Sequence, residues 1–338
     1  MNAMISTIRQ PSDLAVMLYP KASVSDNVKT SPLEGGGLAF DSTMESIEQA
    51  KAVLLNYGID APEEILSQKF KMPEGLSDNE KYQWNLTSAR LAEREFKVTT
   101  DKYYNTVASL PNDVIGDGRS HITSIHELIK NINVDYQRNF GDITKKATQY
   151  MELINAKLGK ISSFTSAGSD GKIKFRPFDF LNEIDEAISK YTGRKYNGGK
   201  EADYFEKWKP DLSKAEPLKV ITGGSKEFEF WKKKLDGQGF IVEQSGSDIK
   251  IFPDFKAITE IYNIVACSPP DWKGGDVLIQ GFQSMQTGID SQKNAVNNSI
   301  SRLLETFRQD NSHFETLTQL LIQLLKDLFQ YNAGFANI

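Results

Sequence analysis

Apolar side chains repeat at heptad spacing along the C-terminal part of this chain, and such a stripe has to be buried along a second helix. Val296, Leu303, Leu317, Leu324 and Tyr331 fall seven or fourteen residues apart, and Ile300, Phe307, Phe314, Leu321 and Leu328 fill the alternate slot. Steps of three and four place them all on one stripe of one helix, the seam of a coiled coil. Asp310 is the polar residue that interrupts it. An acid there either sets register or offers a polar notch to a partner, or it marks a place where the helices splay and water enters. We prefer the second reading.

A second periodic run lies mid-chain: Ile125, Ile129, Ile132, Tyr136, Phe140, Ile143, Ala147, Met151, Ile154, Leu158 and Ile161. Its steps average about 3.6 residues, the period of a straight α-helix. Two stripes of matching length pair most simply within the chain, as an antiparallel hairpin. The alternative is a homo-oligomeric coiled coil in which each stripe pairs across subunits.

The chain has 338 residues, 39% of them hydrophobic, and a mean hydropathy of −0.44. These values suit a helix-rich protein with much surface per core residue. A net charge of −5 with interspersed signs gives no basic face for nucleic acid. No run approaches a transmembrane span, and the first ten residues do not read as a cleaved secretory signal. Cys267 is the single cysteine, which rules out an internal disulfide; it reads as a half-buried packing residue.

Along the chain, residues 1–40 are rich in Ser, Asn, Pro and Gly and read as a mobile leader. Residues 41–115 carry two capping boxes, Ser42-Thr43-Met44-Glu45 and Ser77-Asp78-Asn79-Glu80, each opening a helix, and read as an αα-hairpin. Residues 120–165 form coiled-coil arm 1 and 277–332 arm 2, with 333–338 as a tail. Residues 166–275 differ in character. Short alternating strands, a hairpin around Ser245-Gly246-Ser247 and helices over Phe178–Tyr191 and Phe255–Ile264 describe a small mixed α/β domain inserted between the arms. Arg194 to Lys214 reads as a polar surface loop, and Phe228, Trp231, Phe240 and Phe252 as the core of the insert. The fold class is therefore mainly α: a long intramolecular antiparallel coiled coil with an N-terminal helical hairpin and an inserted α/β domain.

Catalytic signals are weak. His121 and His126 are five apart, not on one helical face, and His313 lies far off, so we read no metal site and no cofactor. Gly168-Ser169-Asp170-Gly171-Lys172 lacks the spacing of a phosphate loop and reads as a turn. Asp185 and Glu186 beside Lys190 read as ordinary surface pairing, and the sequons at Asn85 and Asn297 carry no weight without an entry signal. Leu320 and Phe329 fall off the seam and have no evident partner within the chain.

Several stretches together carry a resemblance. They are Ile132-Asn133-Val134-Asp135-Tyr136 with Tyr150 and Leu158 in arm 1, and Phe230-Trp231-Lys232, Leu235, Gly239 and Asp254-Phe255-Lys256 in the insert. In arm 2 they are Gln283 to Gly288, Lys293-Asn294 and Asn311-Ser312-His313-Phe314-Glu315 leading into Leu317, Leu320 and Leu321. In this order they resemble the needle-tip proteins of bacterial type III secretion, the IpaD/SipD/BipD family. The resemblance covers residues 120 to 332 and reaches the N-terminal hairpin only in layout. It implies a non-enzymatic protein exported through the secretion apparatus behind an uncleaved leader and placed on the bacterial surface at the needle tip. There it would cap the needle, regulate secretion and support insertion of the translocator proteins. It also implies that the hairpin acts as a self-chaperone against premature self-association. The needle subunit would be met by the coiled coil and its C-terminal end, here Leu320, Gln323, Asp327, Phe329, Tyr331 and Asn332. Some members bind bile salts; a bile-salt-like small molecule is a further partner with no residue set matched here. The runner-up is a secreted effector using the same route, with its activity in the insert; a plain structural coiled coil is the third reading.

Overall fold

The structure, a computed structural model, describes residues 46–60, 71–108, 120–267 and 271–336. The expected leader and the first capping box lie outside them. Helix α1 spans Ser46–Asn56 and α2 Asp78–Ala108. The start of α2 is fixed by its capping box: Glu80 Oε2 accepts from the Ser77 N–H at 2.8 Å and from its hydroxyl at 2.6 Å, while Ser77 Oγ accepts from the Glu80 N–H at 3.4 Å. Arm 1 comprises α3 (Ser120–Asn131), a π-helical segment (Ile132–Arg138) and α4 (Asn139–Leu158). Arm 2 is α9, a single helix of 58 residues, Ile279–Ala336, that takes in most of the expected tail.

The arms run antiparallel within one chain. Asn155 meets Asn297, whereas Gln137, earlier in arm 1, meets Asn311, later in arm 2. Every seam residue named above from Ile132 to Ile154 and from Ile300 to Leu324 is buried. The π-helical segment was not read from the sequence, although two consecutive steps of four around Phe140 hint at an extra residue per turn. The Tyr136 ring lies within it. That ring stacks on Trp231 at 5.3 Å and stands edge-on to Phe314 at 4.3 Å and Phe230 at 4.8 Å.

The N-terminal helices do not form a hairpin that packs chiefly on itself. α1 packs on α3 and α9, and α2 packs on α4 and α9. Asn85 and Glu95 of α2 meet Asn297 and Arg308, while α1 shares a cleft with Arg302, Thr306 and Gln309, on the far side of α9. Each helix therefore buries its inner stripe on the coiled coil.

The insert holds β1 (Thr165–Ala167), β2 (Lys172–Phe175), α5 (Pro177–Thr192), α6 (Glu201–Phe205), β3 (Lys219–Thr222), α7 (Ser225–Leu235), β4 (Phe240–Ser245), β5 (Asp248–Pro253), α8 (Lys256–Ala266) and β6 (Gly275–Leu278). Two antiparallel sheets result, ordered β1-β2-β6 and β3-β5-β4. β1 escaped the sequence reading because it is so short, and β6 because its partner β2 lies far back along the chain. The Gly168–Lys172 turn joins β1 to β2 and is pinned by Asp276, which accepts from the Ser169 hydroxyl at 2.7 Å.

Four readings of the insert need correction. The polar stretch from Arg194 to Lys214 contains α6 and buries Phe205 and Trp208 in the core. Trp231 belongs to the junction with arm 1, stacked on Tyr136, not to the interior of the insert. Asp185 is fully buried, while its neighbour Glu186 pairs outside with Lys195 at 2.6 Å. Cys267 is exposed, because α8 ends at Ala266 and leaves it beyond the packed face.

Phe307 is 2% exposed and its ring meets Phe140 at 5.3 Å and Phe96 at 6.1 Å, joining both arms and α2. Phe307→Ala is expected to lower unfolding stability by about 3–5 kcal/mol in urea titration. Val98→Ala, on the exposed face of α2, is expected to stay within about 0.5 kcal/mol of the parent.

Candidate functional site

The face of α2 that meets the coiled coil packs Tyr82, Leu86, Ala89 and Phe96 partly buried against the core, but its fully buried positions are small or polar. Asn85, Ser88, Ala92 and Thr99 are buried at heptad spacing, where a packing helix usually carries leucine and isoleucine. The contacts they and their neighbours make are correspondingly polar. Asn85 Nδ2 donates to the Asn297 carbonyl at 2.7 Å, Asn155 Nδ2 to Asn297 Oδ1 at 2.8 Å, and the Ser301 hydroxyl to Asn85 Oδ1 at 2.5 Å. One ladder thus ties α2, α4 and α9 in register. Higher up, Arg308 grips Glu95 with two hydrogen bonds of 2.8 and 3.0 Å, and Lys102 pairs with Glu315 at 3.1 Å. The hydroxyls of Thr100 and Thr144 are buried and find no hydrogen-bond partner among the described residues. Such an interface is specific in register, and its groups can be handed back to water with little net loss, about 0.5–1.5 kcal/mol per hydrogen bond. The ladder was not anticipated, though the run of small and polar residues at heptad steps in α2 was the signal for it.

Asp310, expected at a splayed, watered point of the seam, is instead 15% exposed and bonded inside the protein. It accepts from the Tyr136 hydroxyl at 2.8 Å and forms an ion pair with Lys234 of α7. The Lys234 ammonium also lies 5.5 Å from the Tyr136 ring centre and 5.8 Å from those of Phe140 and Phe230. The seam acid is thus the anchor that holds the insert to both arms. Beside it, a cleft of about 1080 Å³ opens between α1, α7 and α9, with Lys51, Lys233 and Arg302 around Phe230 and Phe314.

The residues expected to meet a needle subunit lie along the end of α9. Leu320, Gln323 and Asp327 share one helical face by their spacing of three and four. Leu320 is half-buried against the core, so it does have a partner within the chain; Gln323 is exposed and donates to Asp327 Oδ1 at 2.8 Å. Phe329, Tyr331 and Asn332 fall on the same helix, and their side chains lie outside the described residues. A groove of about 210 Å³ runs beside this face, lined by Thr99 and Lys102 of α2, Gln137 of arm 1 and Glu315, Ile322 and Gln323 of α9. Among the described residues, no cluster of His, Cys, Asp or Glu could hold a metal ion, and no helix is long and apolar enough to cross a membrane.

These features define a coiled-coil scaffold whose third helix is clasped by polar contacts. No model of a known protein family matches the sequence, and no curated protein matches it. Among solved structures the chain is similar to BipD of Burkholderia pseudomallei, a component of that organism's type III secretion system and an invasion protein associated with it. One BipD structure is 15% identical with a TM-score of 0.46, covering 77% of this chain and 87% of BipD. A second is 16% identical with a TM-score of 0.47, covering 75% and 82%. A third is 15% identical with a TM-score of 0.44, covering 77% and 86%.

Removing the Asn297 side chain leaves Asn155 Nδ2 with only its bond to the Met151 carbonyl at 2.8 Å and takes from Asn155 Oδ1 the Asn297 donor at 3.4 Å. Asn297→Ala is therefore expected to lower stability by about 1–3 kcal/mol. Asp310→Ala leaves the Lys234 charge without its counter-ion and is expected to lower it by about 3–5 kcal/mol, both read by urea unfolding of the full chain.

Proposed function

We propose that this chain is a non-enzymatic tip adaptor of a type III secretion needle. It is exported through that apparatus and held at the bacterial surface on the needle tip. There it restrains secretion and supports insertion of the translocator proteins. The observation that carries the reading is α2 held on an intramolecular coiled coil by the Asn85–Asn155–Asn297 ladder and the Glu95–Arg308 pair. A helix bound by groups that water can satisfy is suited to cover a surface before export and to yield it afterwards. The ordered sequence stretches that resemble the needle-tip family support the same reading.

In this scheme α2, with the rest of residues 41–115, is the self-chaperone, and the needle subunit meets Leu320, Gln323, Asp327, Phe329, Tyr331 and Asn332. A bile-salt-like molecule, an amphipathic anion, would find lysines beside aromatic rings in the cleft between α1, α7 and α9. The effector alternative would put chemistry in the insert. The buried carboxylate there, Asp185, is closed off by the groups that donate to it.

The test is a titration of isotope-labelled full chain with its needle subunit, blocked from polymerising, followed by NMR. Shifts concentrated on arm 2 from Glu315 onward are expected. Silence at high micromolar concentration would sink the tip reading in favour of the effector. Protein lacking residues 1–115 is expected to self-associate by light scattering; an indifferent monomer would count against the self-chaperone role.

A further inference from the structure

An asparagine followed by glycine can lose its side-chain amide to its own backbone, because the glycine N–H approaches with no Cβ in the way. The sequence holds this pair once, at Asn197-Gly198, between α5 and α6. Among the described residues Asn197 is also the one asparagine outside a helix. Helical backbone is fixed so that the N–H of the next residue points along the axis, away from the preceding side chain. Position in the fold therefore separates Asn197 from the other described asparagines.

The fold holds both flanks of the pair and leaves the pair itself alone. Before it, the Tyr196 N–H donates to Asp185 at 2.6 Å and the Tyr196 ring stacks on Phe205 at 5.9 Å. After it, the Gly199 carbonyl accepts from the Tyr196 hydroxyl at 2.7 Å. Asn197 and Gly198 between them are exposed, and among the described residues neither the Asn197 amide nor the Gly198 N–H has a hydrogen-bond partner. Gly198 and Gly199 stand at φ +104° and +105°, and nothing lies within 4 Å of a Cβ built at Gly198. The apex thus has the room and the rotational freedom to close a ring. The two Asp-Gly pairs among the described residues lack these conditions. At Asp236-Gly237 the Gly237 N–H donates to the Phe240 carbonyl at 3.2 Å, and Asp236 Oδ1 accepts from the Val242 N–H at 3.2 Å. At Asp170-Gly171 the side chain is a carboxylate, which repels a nucleophile and has no amide to expel.

We propose that Asn197-Gly198 is a self-modification site, at which the Gly198 nitrogen displaces the Asn197 side-chain amide in the folded protein. Hydroxide takes the Gly198 N–H proton and the nitrogen bonds to Asn197 Cγ. The Cγ–Nδ2 bond breaks, and the amide nitrogen leaves as ammonia with a proton returned from water. The product is a cyclic imide, to which water adds at one of two carbonyls. Addition at the side-chain carbonyl restores the ordinary backbone with an aspartyl residue at position 197. Addition at the main-chain carbonyl leaves the chain running through the side chain, an isoaspartyl linkage. Either product adds one negative charge to a net charge of −5. The isoaspartyl form also lengthens the backbone between Tyr196 and Gly199 by a carbon, so the hydrogen bond joining those two residues is the contact it disturbs. This chemistry is independent of the needle-tip reading.

The test is to hold the full chain at body temperature in mildly alkaline buffer, sample it over days, digest in acid and map the peptides by mass spectrometry. The peptide carrying Asn197 is expected to gain about one dalton, amide exchanged for acid, and to split into two species of equal mass. One of the two is expected to accept a methyl group from an isoaspartyl methyltransferase. Conversion is expected to quicken by up to about tenfold per pH unit, because the attacking nitrogen must first lose its proton. Peptides carrying the buried Asn85, Asn155, Asn297 and Asn311 are expected to keep their mass while the protein stays folded. Asn197→Gln, which would have to close a larger ring, is expected to leave its peptide unchanged over the same period. Conversion at Asn197 no faster than at the helical asparagines, or a mass gain that persists in the Asn197→Gln peptide, would overturn the proposal.

Discussion

A helix of 58 residues with an apolar group at every third and fourth position cannot stand alone in water, and the rest of this structure is arranged around covering it. Arm 1 supplies the first cover, burying the seam from Ile300 to Leu324 against Ile125 to Ile154. Because both arms belong to one chain, their pairing requires no second subunit, and the insert is the connection that returns the chain. The insert also acts on what it connects. Lys234 reaches Asp310 across the seam, and Gly239 comes so close to Ser299 of α9 that a Cβ would lie 2.4 Å from its side chain. Both contacts set the insert against the middle of arm 2.

Two kinds of chemistry hold the N-terminal helices to this frame. α1 places Ala50, Val53 and Leu54 in the core, a conventional apolar contact. α2 places Asn85, Ser88, Ala92 and Thr99 there with directed hydrogen bonds, and its larger apolar groups, Tyr82, Leu86 and Phe96, are only partly buried against the core. The face it covers is polar as well: Thr144, Thr148, Asn155, Asn297 and Asn311 are all buried beneath or beside it. Apolar burial makes separation unfavourable in proportion to area, whereas hydrogen bonds are largely exchanged for others with water. The functional proposal draws on that difference.

How far this could be read from residues alone depended on how local the signal was. The seam, the Ser77 capping box, the β4–β5 hairpin and the end of α5 at Gly193 rest on neighbours in sequence, and each was legible. β6 and the burial of Phe205 and Trp208 rest on partners far along the chain and were not, and β1 is too short to show an alternation. Asp310 was recognised as an interruption, but its partner Lys234 sits on a different element, so the interruption was taken for a weak point. Asp185 offered a clue that went unused: it falls on the same stripe as Leu181, Ile184 and Ile188, while Glu186 falls off it. At the end of α9 periodicity marked only Leu320 and Phe329, as apolar residues off the seam, and the other residues there were singled out through resemblance.

The ladder joining α2 to the two arms carries a consequence for making this protein in foreign hosts. Asn85-Leu86-Thr87 and Asn297-Asn298-Ser299 both spell acceptor sites for N-linked sugar, and both asparagines are fully buried in that ladder. In a cell without such glycosylation the signals are silent. Passed through a eukaryotic secretory pathway, the unfolded chain would present both before folding could hide them. A glycan on either asparagine has no room between three packed helices, so the choice of expression host decides whether α2 can dock at all.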